Sequence, residues 1–382
     1  MAAANCDGEL PPWPAAIKGC RSAGGCEVIS IPDMPGDETP PFAAELTAID
    51  ALMLTLCTDG INRELGRIAW EHIASGGKRL RARLAVQMVC AHGAAANLGI
   101  AWGAACELLH NASLIHDDIE DGDRFRRGKP ALWARYGTAQ AINAGDLCIA
   151  LSYAAIGSVP VSDGVRWQLT NAMTRAARRM VEGQAAEFGL LSSGTPDWRD
   201  YAACVEGKTA ALFALPIEGA ALIAGRTLDE ALALAHGCRQ LGLLFQIQDD
   251  ILDLFGNNGR DMPGSDLAQS GKATAFVVEH LRLHPSDGDW LMSILTAPRK
   301  ETSCEQIGHV ITRFTEGGAL EAVWQRIDDI RSELAESQPI AREPAFARLV
   351  QEFVDAALRP VEHTRLRVLS RPPRTGDEPA QV

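Results

Sequence analysis

Leu114-Ile115-His116-Asp117-Asp118-Ile119-Glu120-Asp121 closes a run of apolar residues at helical spacing that starts near residue 98, and Phe245-Gln246-Ile247-Gln248-Asp249-Asp250-Ile251-Leu252-Asp253 closes another that starts near residue 228. Both end in DDxxD. On a helix, positions i and i+4 share a face, so Asp117 stands above Asp121 and Asp249 above Asp253, with Asp118 and Asp250 turned about 100° away. Like charges at that spacing destabilise an isolated helix, and three carboxylates beside apolar turns call for a hard cation, for which Mg2+ is suited. Gly122 and Gly256 follow the two clusters closely. That sets both clusters at helix C-termini, where the macrodipole also favours positive charge. Taken singly, an acidic run is a solvated helix end. Two copies about 130 residues apart in one helical chain read as two jaws of a metal site.

The rest of the chain supports a helical reading. It is rich in Ala and Leu, has only three Tyr among 382 residues, and shows few alternating β-branched runs, so an all-α fold is expected. Apolar periodicity marks helices at about 46–70, 78–92, 98–121, 138–156, 165–188, 198–224, 228–255 and 270–283, with others to about 368. Short connections pack such helices antiparallel, as a bundle around a central cavity. Residues 1–45 are punctuated by Pro and Gly and residues 370–382 by Pro, so both are read as disordered, leaving 46–369 as one helical domain.

Charge and cysteine usage exclude several classes. With 36 Lys and Arg against 49 Asp and Glu, the net charge of −13 argues against a nucleic-acid partner, which needs a broad basic surface. The ten cysteines form no CxxC pair and no zinc spacing, and read as small core residues. The most apolar stretch, Ala210 to Gly225, is interrupted by Pro216 and Glu218, so no membrane span is expected. Without a basic, then apolar, N-terminal segment, a cytoplasmic location is the expectation.

The positive charge collects near the acids. Gly76-Gly77-Lys78-Arg79-Leu80-Arg81-Ala82-Arg83 opens a helix, and Arg124, Arg126, Arg127 and Lys129 follow the first aspartate cluster. A ligand that needs both Mg2+ and guanidinium groups is a polyphosphate. Lys78 and Arg81 sit near a helix N-terminus, a favourable place for an anion, whereas Arg79, Arg83 and Arg124 read as ordinary surface charges. His110 lies two turns before Asp117 on the same face. Lys208, Thr209 and Lys272 are weaker candidates on spacing alone. No Gly-rich nucleotide loop and no Ser/His/Asp signature is present.

These residues, in this order, resemble the polyprenyl synthetase family, the trans-isoprenyl diphosphate synthases. The resemblance is carried by Gly76 to Arg81, by His110 to Asp121 with Arg126-Arg127-Gly128, and by Ala144-Gly145-Asp146, Gly183-Gln184 and Lys208-Thr209. Phe245 to Asp253 and Gly264-Ser265-Asp266 with Gly271-Lys272 complete it, covering residues 46–285 well and the remainder weakly. It implies an isoprenoid synthase fold, usually homodimeric, that condenses an allylic diphosphate with isopentenyl diphosphate. Asp117, Asp118, Asp121, Asp249, Asp250 and Asp253 would hold Mg2+ on the allylic diphosphate. Arg126, Lys208, Thr209, Gln246 and Lys272 would bind that diphosphate, and Lys78, Arg81, His110 and Arg127 would bind isopentenyl diphosphate. The chain departs from the family pattern at Ala82, where Pro is frequent, at Glu187, where Asp is common, and at Gly259-Arg260-Asp261, where Gly-Lys is usual.

In this family the growing chain descends along the helix before the first aspartate cluster. Ser113 and Ala112, four and five residues before Asp117, are small, and Leu109 and Cys106 lie one and two turns deeper. The expected product is therefore geranylgeranyl diphosphate, and Ala112→Phe is expected to shorten it. Farnesyl and longer products remain open. A class I terpene cyclase shares the fold, but commonly carries an Asn/Ser/Glu metal motif in place of a second DDxxD and needs no isopentenyl diphosphate site. A non-catalytic regulatory subunit usually lacks one aspartate triad, and both are intact here.

Overall fold

The computed structural model describes residues 42–60, 62–191, 195–255, 264, 267, 272–297 and 302–369. Its helices run α1 Ala43–Thr58, α2 Arg63–Ile73, α3 Leu80–Ala91, α4 Ile100–Glu120, α5 Leu132–Tyr136, α6 Thr138–Gly157, α7 Asp163–Leu190, α8 Trp198–Val205 and α9 Ala211–Ile223. They continue as α10 Leu228–Gly237, α11 Arg239–Phe255, α12 Ala275–Leu283, α13 Gly288–Leu295, α14 Cys304–Gly317, α15 Ala319–Glu336, α16 Gln338–Ala341, α17 Pro344–Leu358 and α18 Glu362–Leu369. The strands found among the described residues, β1 Phe125–Arg126 and β2 Lys129–Pro130, make one antiparallel hairpin turned at Arg127 and Gly128, both at positive φ. The all-α expectation holds.

Helix starts follow local chemistry. Ser162, Asp197, Thr227, Thr274 and Ser303 each accept a backbone N–H of the first turn of α7, α8, α10, α12 and α14. Such caps contribute about 1 kcal/mol each. The expected 46–70 helix is two helices, because Asn62 caps the N–H of Leu65 and restarts the chain after Asp59 and Gly60. The first helix starts at Ala43, inside the expected 1–45 extension. The 228–255 run divides at Cys238, and the 270–283 run starts at Ala275 behind its Thr274 cap.

The middle of the molecule is α4 and α9. Every residue of α9 is buried, and α4 buries one face against α6 and the other against α3, α1 and α9. Pro216 stands inside α9, where it removes a helix donor at a cost of about 3 kcal/mol. The surrounding burial offsets that, at roughly 1.5–3 kcal/mol for each large apolar side chain. Trp102 of α4 donates its indole N–H to the Pro216 carbonyl at 3.2 Å, and its ring lies where a Cβ on Gly219 would stand. Helices α12, α14, α15 and α17 form a further layer behind α11. Cys57, Cys90, Cys106, Cys148, Cys204 and Cys238 are buried and none of them is in a disulfide, in keeping with the core reading. No described helix is long and apolar enough to cross a membrane.

Candidate active site

The C-terminal turns of α4 and α11 face each other across a cavity of about 510 Å³, with α7, α8, α9 and the segment before α12 supplying the other walls. Asp117 and Asp121 of α4 and Asp249 and Asp250 of α11 line it. Asp118 and Asp253, each 1% exposed, are packed into the protein instead of lining the cavity. Asp118 accepts the Arg126 Nε of the hairpin at 2.5 Å, and burial, despite that arginine, pushes its carboxyl up to about 6.

Asp117, Asp121 and Asp250 each have a cationic or hydrogen-bonding neighbour. Lys208 Nζ lies 2.6 Å from Glu187 and 3.8 Å from Asp117. Burial pulls that ammonium down, but Asp117 and Glu187 outweigh it, so Lys208 is raised and stays charged. Lys272 Nζ lies 2.7 Å from Asp121. Tyr201 donates its hydroxyl to Asp250 at 2.8 Å, the Ala275 N–H reaches the same oxygen at 2.7 Å, and the Gln246 amide donates to the other at 3.2 Å. Gln246 in turn accepts the Thr209 hydroxyl at 3.1 Å. Burial and the like charge of Asp121 push Asp117 up, with Lys208 acting against them.

Lys208 owes its position to a local irregularity. The expected 198–224 helix contains a π-helical turn, Glu206–Ala210, between α8 and α9. Such insertions are frequent at functional sites. α7 fits against this turn because residue 183 is Gly: a Cβ there would run into the Lys208 backbone nitrogen.

The other end of the cavity is basic. Arg81 and His110 line it, and the Arg81 guanidinium stacks 4.5 Å from the Phe213 ring centroid. Burial brings Arg81 down to about 10 and holds His110, which also faces Arg81, Arg127 and Arg126, well below the usual histidine range. Lys78 is exposed in the loop before α3, outside the cavity lining. Arg127 donates to the Gly76 carbonyl and, at 3.3 Å, to Ser75, tying the hairpin to that loop. Arg79, read as an ordinary surface charge, is instead largely buried, its side chain 13% exposed and bonded to Asp50 at 2.9 Å and to the Ile73 carbonyl at 2.8 Å. The expectation that the α3 N-terminus itself offers N–H groups to an anion is corrected: the Arg81 and Ala82 N–H groups already donate to Glu107.

Of the three chain-length candidates, Ser113 lines the cavity, while Ala112 and Leu109 are fully buried behind it. Arg260 lies outside the described residues, as do Gly256, Ser265, Asp266 and Gly271. The structure also brings in residues the spacing did not single out. His116 lines the cavity with Nε2 3.6 Å from Asp146, at a point where Gly145 leaves room for the ring. Gln184 donates to Glu120 at 2.6 Å, and Glu187 and Tyr201 hold Lys208 and Asp250 as described.

A helical bundle that sets the ends of two aspartate-bearing helices against lysine and arginine in one cavity has the form of an isoprenoid synthase. Residues 62–313 match the family model described as polyprenyl synthetase. The chain is 36% identical over 244 residues to the "Short chain isoprenyl diphosphate synthase" of Methanothermobacter thermautotrophicus, covering 63% of this chain and 74% of that one. It is 38% identical over 185 residues to the "(2E,6E)-farnesyl diphosphate synthase" of Mycobacterium tuberculosis, covering 47% of this chain and 50% of that one. Among solved structures, a polyprenyl synthase from Caulobacter crescentus, complexed with calcium and isoprenyl diphosphate, superposes with a TM-score of 0.73 at 26% identity, covering 83% of this chain and 95% of that one. The chain belongs to the polyprenyl synthetase family, whose members are trans-prenyltransferases.

Proposed function

We propose that this protein condenses isopentenyl diphosphate with an allylic diphosphate, with geranylgeranyl diphosphate as the main product. The observation that carries the reading is that one cavity is lined by Asp117, Asp121, Lys208 and Lys272 and also, two helical turns back along α4, by His110 with Arg81 beside it. Each set suits one diphosphate, and two diphosphates are what a condensation requires. A cyclase would need only the first.

The allylic diphosphate binds Lys208, Lys272, Arg126 and the Thr209–Gln246 pair. Asp117, Asp121 and Asp249, with Asp250 beside them, would hold Mg2+. Asp118 and Asp253 stand behind them and set the frame. Among the described residues no group of three or more His, Cys, Asp or Glu side chains converges closely enough to hold a metal ion by itself. That donor set suits Mg2+, which is ordinarily held by one or two carboxylates together with substrate phosphates and water. Burial pushes Asp117 up, with the like charge of Asp121 adding to it, and a bound cation relieves both. When bound, the metal neutralises charge on the departing diphosphate.

The chain's own groups do the rest. Lys208 and Lys272 stabilise the leaving diphosphate with donors on the cavity wall, and the allylic carbon becomes a delocalised cation. Arg81, His110, Lys78 and Arg127 hold isopentenyl diphosphate with its double bond close to that carbon, so that carbon–carbon bond formation is effectively unimolecular. A proton then leaves the adduct, with the released diphosphate as the base. The apolar walls, including Leu114, Met180, Val205 and Leu212, exclude water from the cation.

Small Ser113 on the cavity wall leaves room for elongation beyond farnesyl, which is the ground for the twenty-carbon product. The rival product is farnesyl diphosphate, favoured by the name of the mycobacterial relative. A homodimer is what the family resemblance implies, and Trp167 of α7, 66% exposed and outside the cavity lining, is an apolar residue available to such an interface. The test of product length is incubation with Mg2+, isopentenyl diphosphate and, separately, dimethylallyl, geranyl and farnesyl diphosphates, with products read by mass spectrometry before and after phosphatase treatment. Twenty-carbon prenyl diphosphate from all three starters is the expected result; a product ending at fifteen carbons overturns the geranylgeranyl reading.

A further inference from the structure

We infer that Glu107, a buried carboxylate on α4 that lines no part of the cavity, is a positioning residue for the isopentenyl diphosphate end. The inference rests on the reading of Lys78, Arg81 and His110 as that end.

The first turn of any helix leaves its backbone N–H groups without partners in the helix, and a Ser, Thr, Asp or Asn at the cap commonly satisfies one of them. Here the capping position is Arg79, at φ 50°, and its side chain makes no cap. The loop before it passes through Gly76 and Gly77 at φ 121° and 125°, a backbone that glycine alone adopts without strain. The loop that carries Lys78 and leads into Arg81 therefore brings no cap of its own.

Glu107 supplies it from another helix. One carboxylate oxygen accepts the Arg81 N–H at 3.0 Å and the Ala82 N–H at 3.1 Å. The side chain is 3% exposed. A buried carboxylate costs several kcal/mol unless it is paired and hydrogen-bonded, and here it receives two N–H groups and the field of a nearby buried guanidinium. Asn111 donates to the Glu107 carbonyl one turn further along, and His110 follows three residues later on the same helix. So α4 both caps the helix that carries Arg81 and presents His110, fixing the two groups relative to each other. Because Glu107 takes the Arg81 and Ala82 N–H groups, those two are not offered to an incoming diphosphate at this end.

The test is steady-state kinetics on the full chain with isopentenyl diphosphate varied at saturating allylic diphosphate, then the reverse, for wild type, Lys78→Ala, Glu107→Leu and Glu107→Gln. Lys78→Ala reports on the site itself. Glu107→Leu is expected to raise the isopentenyl KM about tenfold or more while the allylic KM stays within about twofold, as follows from losing charge-assisted hydrogen bonds at one end only. Glu107→Gln keeps an acceptor oxygen of the same reach and is expected to give a smaller rise in the same KM, a partial rescue that a general loss of packing would not produce. If Lys78→Ala leaves the isopentenyl KM unchanged, the reading of the site falls and the inference with it. If Lys78→Ala raises it while Glu107→Leu and Glu107→Gln, folded by circular dichroism, move both KM values equally or neither, the inference alone falls.

Discussion

The two aspartates that open the first cluster have different jobs, and a single substitution at each separates them. Asp117 faces the cavity beside Lys208, whereas Asp118 faces the hairpin and takes Arg126. Asp117→Asn is expected to lower kcat by about 10²–10³-fold with the fold intact, the range found when a group that stabilises developing charge is removed. Asp118→Asn is expected to lower stability by about 1–3 kcal/mol, because a buried charge-assisted hydrogen bond is weakened. Denaturant midpoints and kcat measured on both variants check the pair. Product length belongs to this scale too. Ala112 is fully buried, so a Phe there meets packed core and costs stability, whereas Ser113 lines the cavity and can carry the larger ring. Ser113→Phe is therefore expected to shift the product toward fifteen carbons, read by mass spectrometry. An unchanged product from a folded variant would put the cavity floor elsewhere. The aspartate pattern was legible in the sequence because it is local. Glu107 and His116 were not, since their partners Arg81, Ala82 and Asp146 come from other helices. The one trace Glu107 left is a lone charge within an apolar run from Ile100 to Leu109.

The helices themselves were legible where apolar period and capping residues agree, as at α4, which ends before Gly122, and at α6. The break at Cys238 was not, because the apolar period runs through it and the division shows only in the backbone. Nor was the π-helical turn that carries Lys208, since one inserted residue shifts the helical phase without changing composition. Its trace is Gly183 on α7, a small residue needed for close approach and uninformative until the two segments are seen together. Gly183→Ala is expected to push α7 from the turn, lowering stability by roughly 1–3 kcal/mol and kcat through displacement of Lys208. Thermal unfolding and kcat read the two effects separately. If kcat holds while stability falls, the position of Lys208 does not depend on that contact.

At the scale of the whole molecule, burial shifts two sets of groups in opposite directions: it lowers His72, His92, His110 and His280 and raises Asp117, Asp118 and Glu120. Burial, with Arg126, Arg127 and Arg79 adding to it, brings His72 of α2 down to about 3, and burial likewise keeps His110 well below the ordinary value near 6.5. Below pH 6.5 the unfolded chain takes up protons at these positions that the folded chain refuses. The histidines' share of stability is therefore complete above pH 6.5 and is lost as pH falls toward the folded values, by up to about 1.4 kcal/mol per pH unit for each histidine, while the raised carboxylates, Asp118 at about 6 among them, act in the opposite direction. Denaturant unfolding between pH 7.5 and 4.5 measures the slope, and His72→Gln is expected to reduce it. The central claim is that the cavity joins two diphosphate substrates. The direct measurement is release of inorganic diphosphate by the purified protein with Mg2+ and geranyl diphosphate, with and without isopentenyl diphosphate. Release that requires both substrates, one diphosphate per carbon–carbon bond formed, is the predicted result. Release from geranyl diphosphate alone at the same rate, with hydrocarbon or alcohol as product, contradicts it.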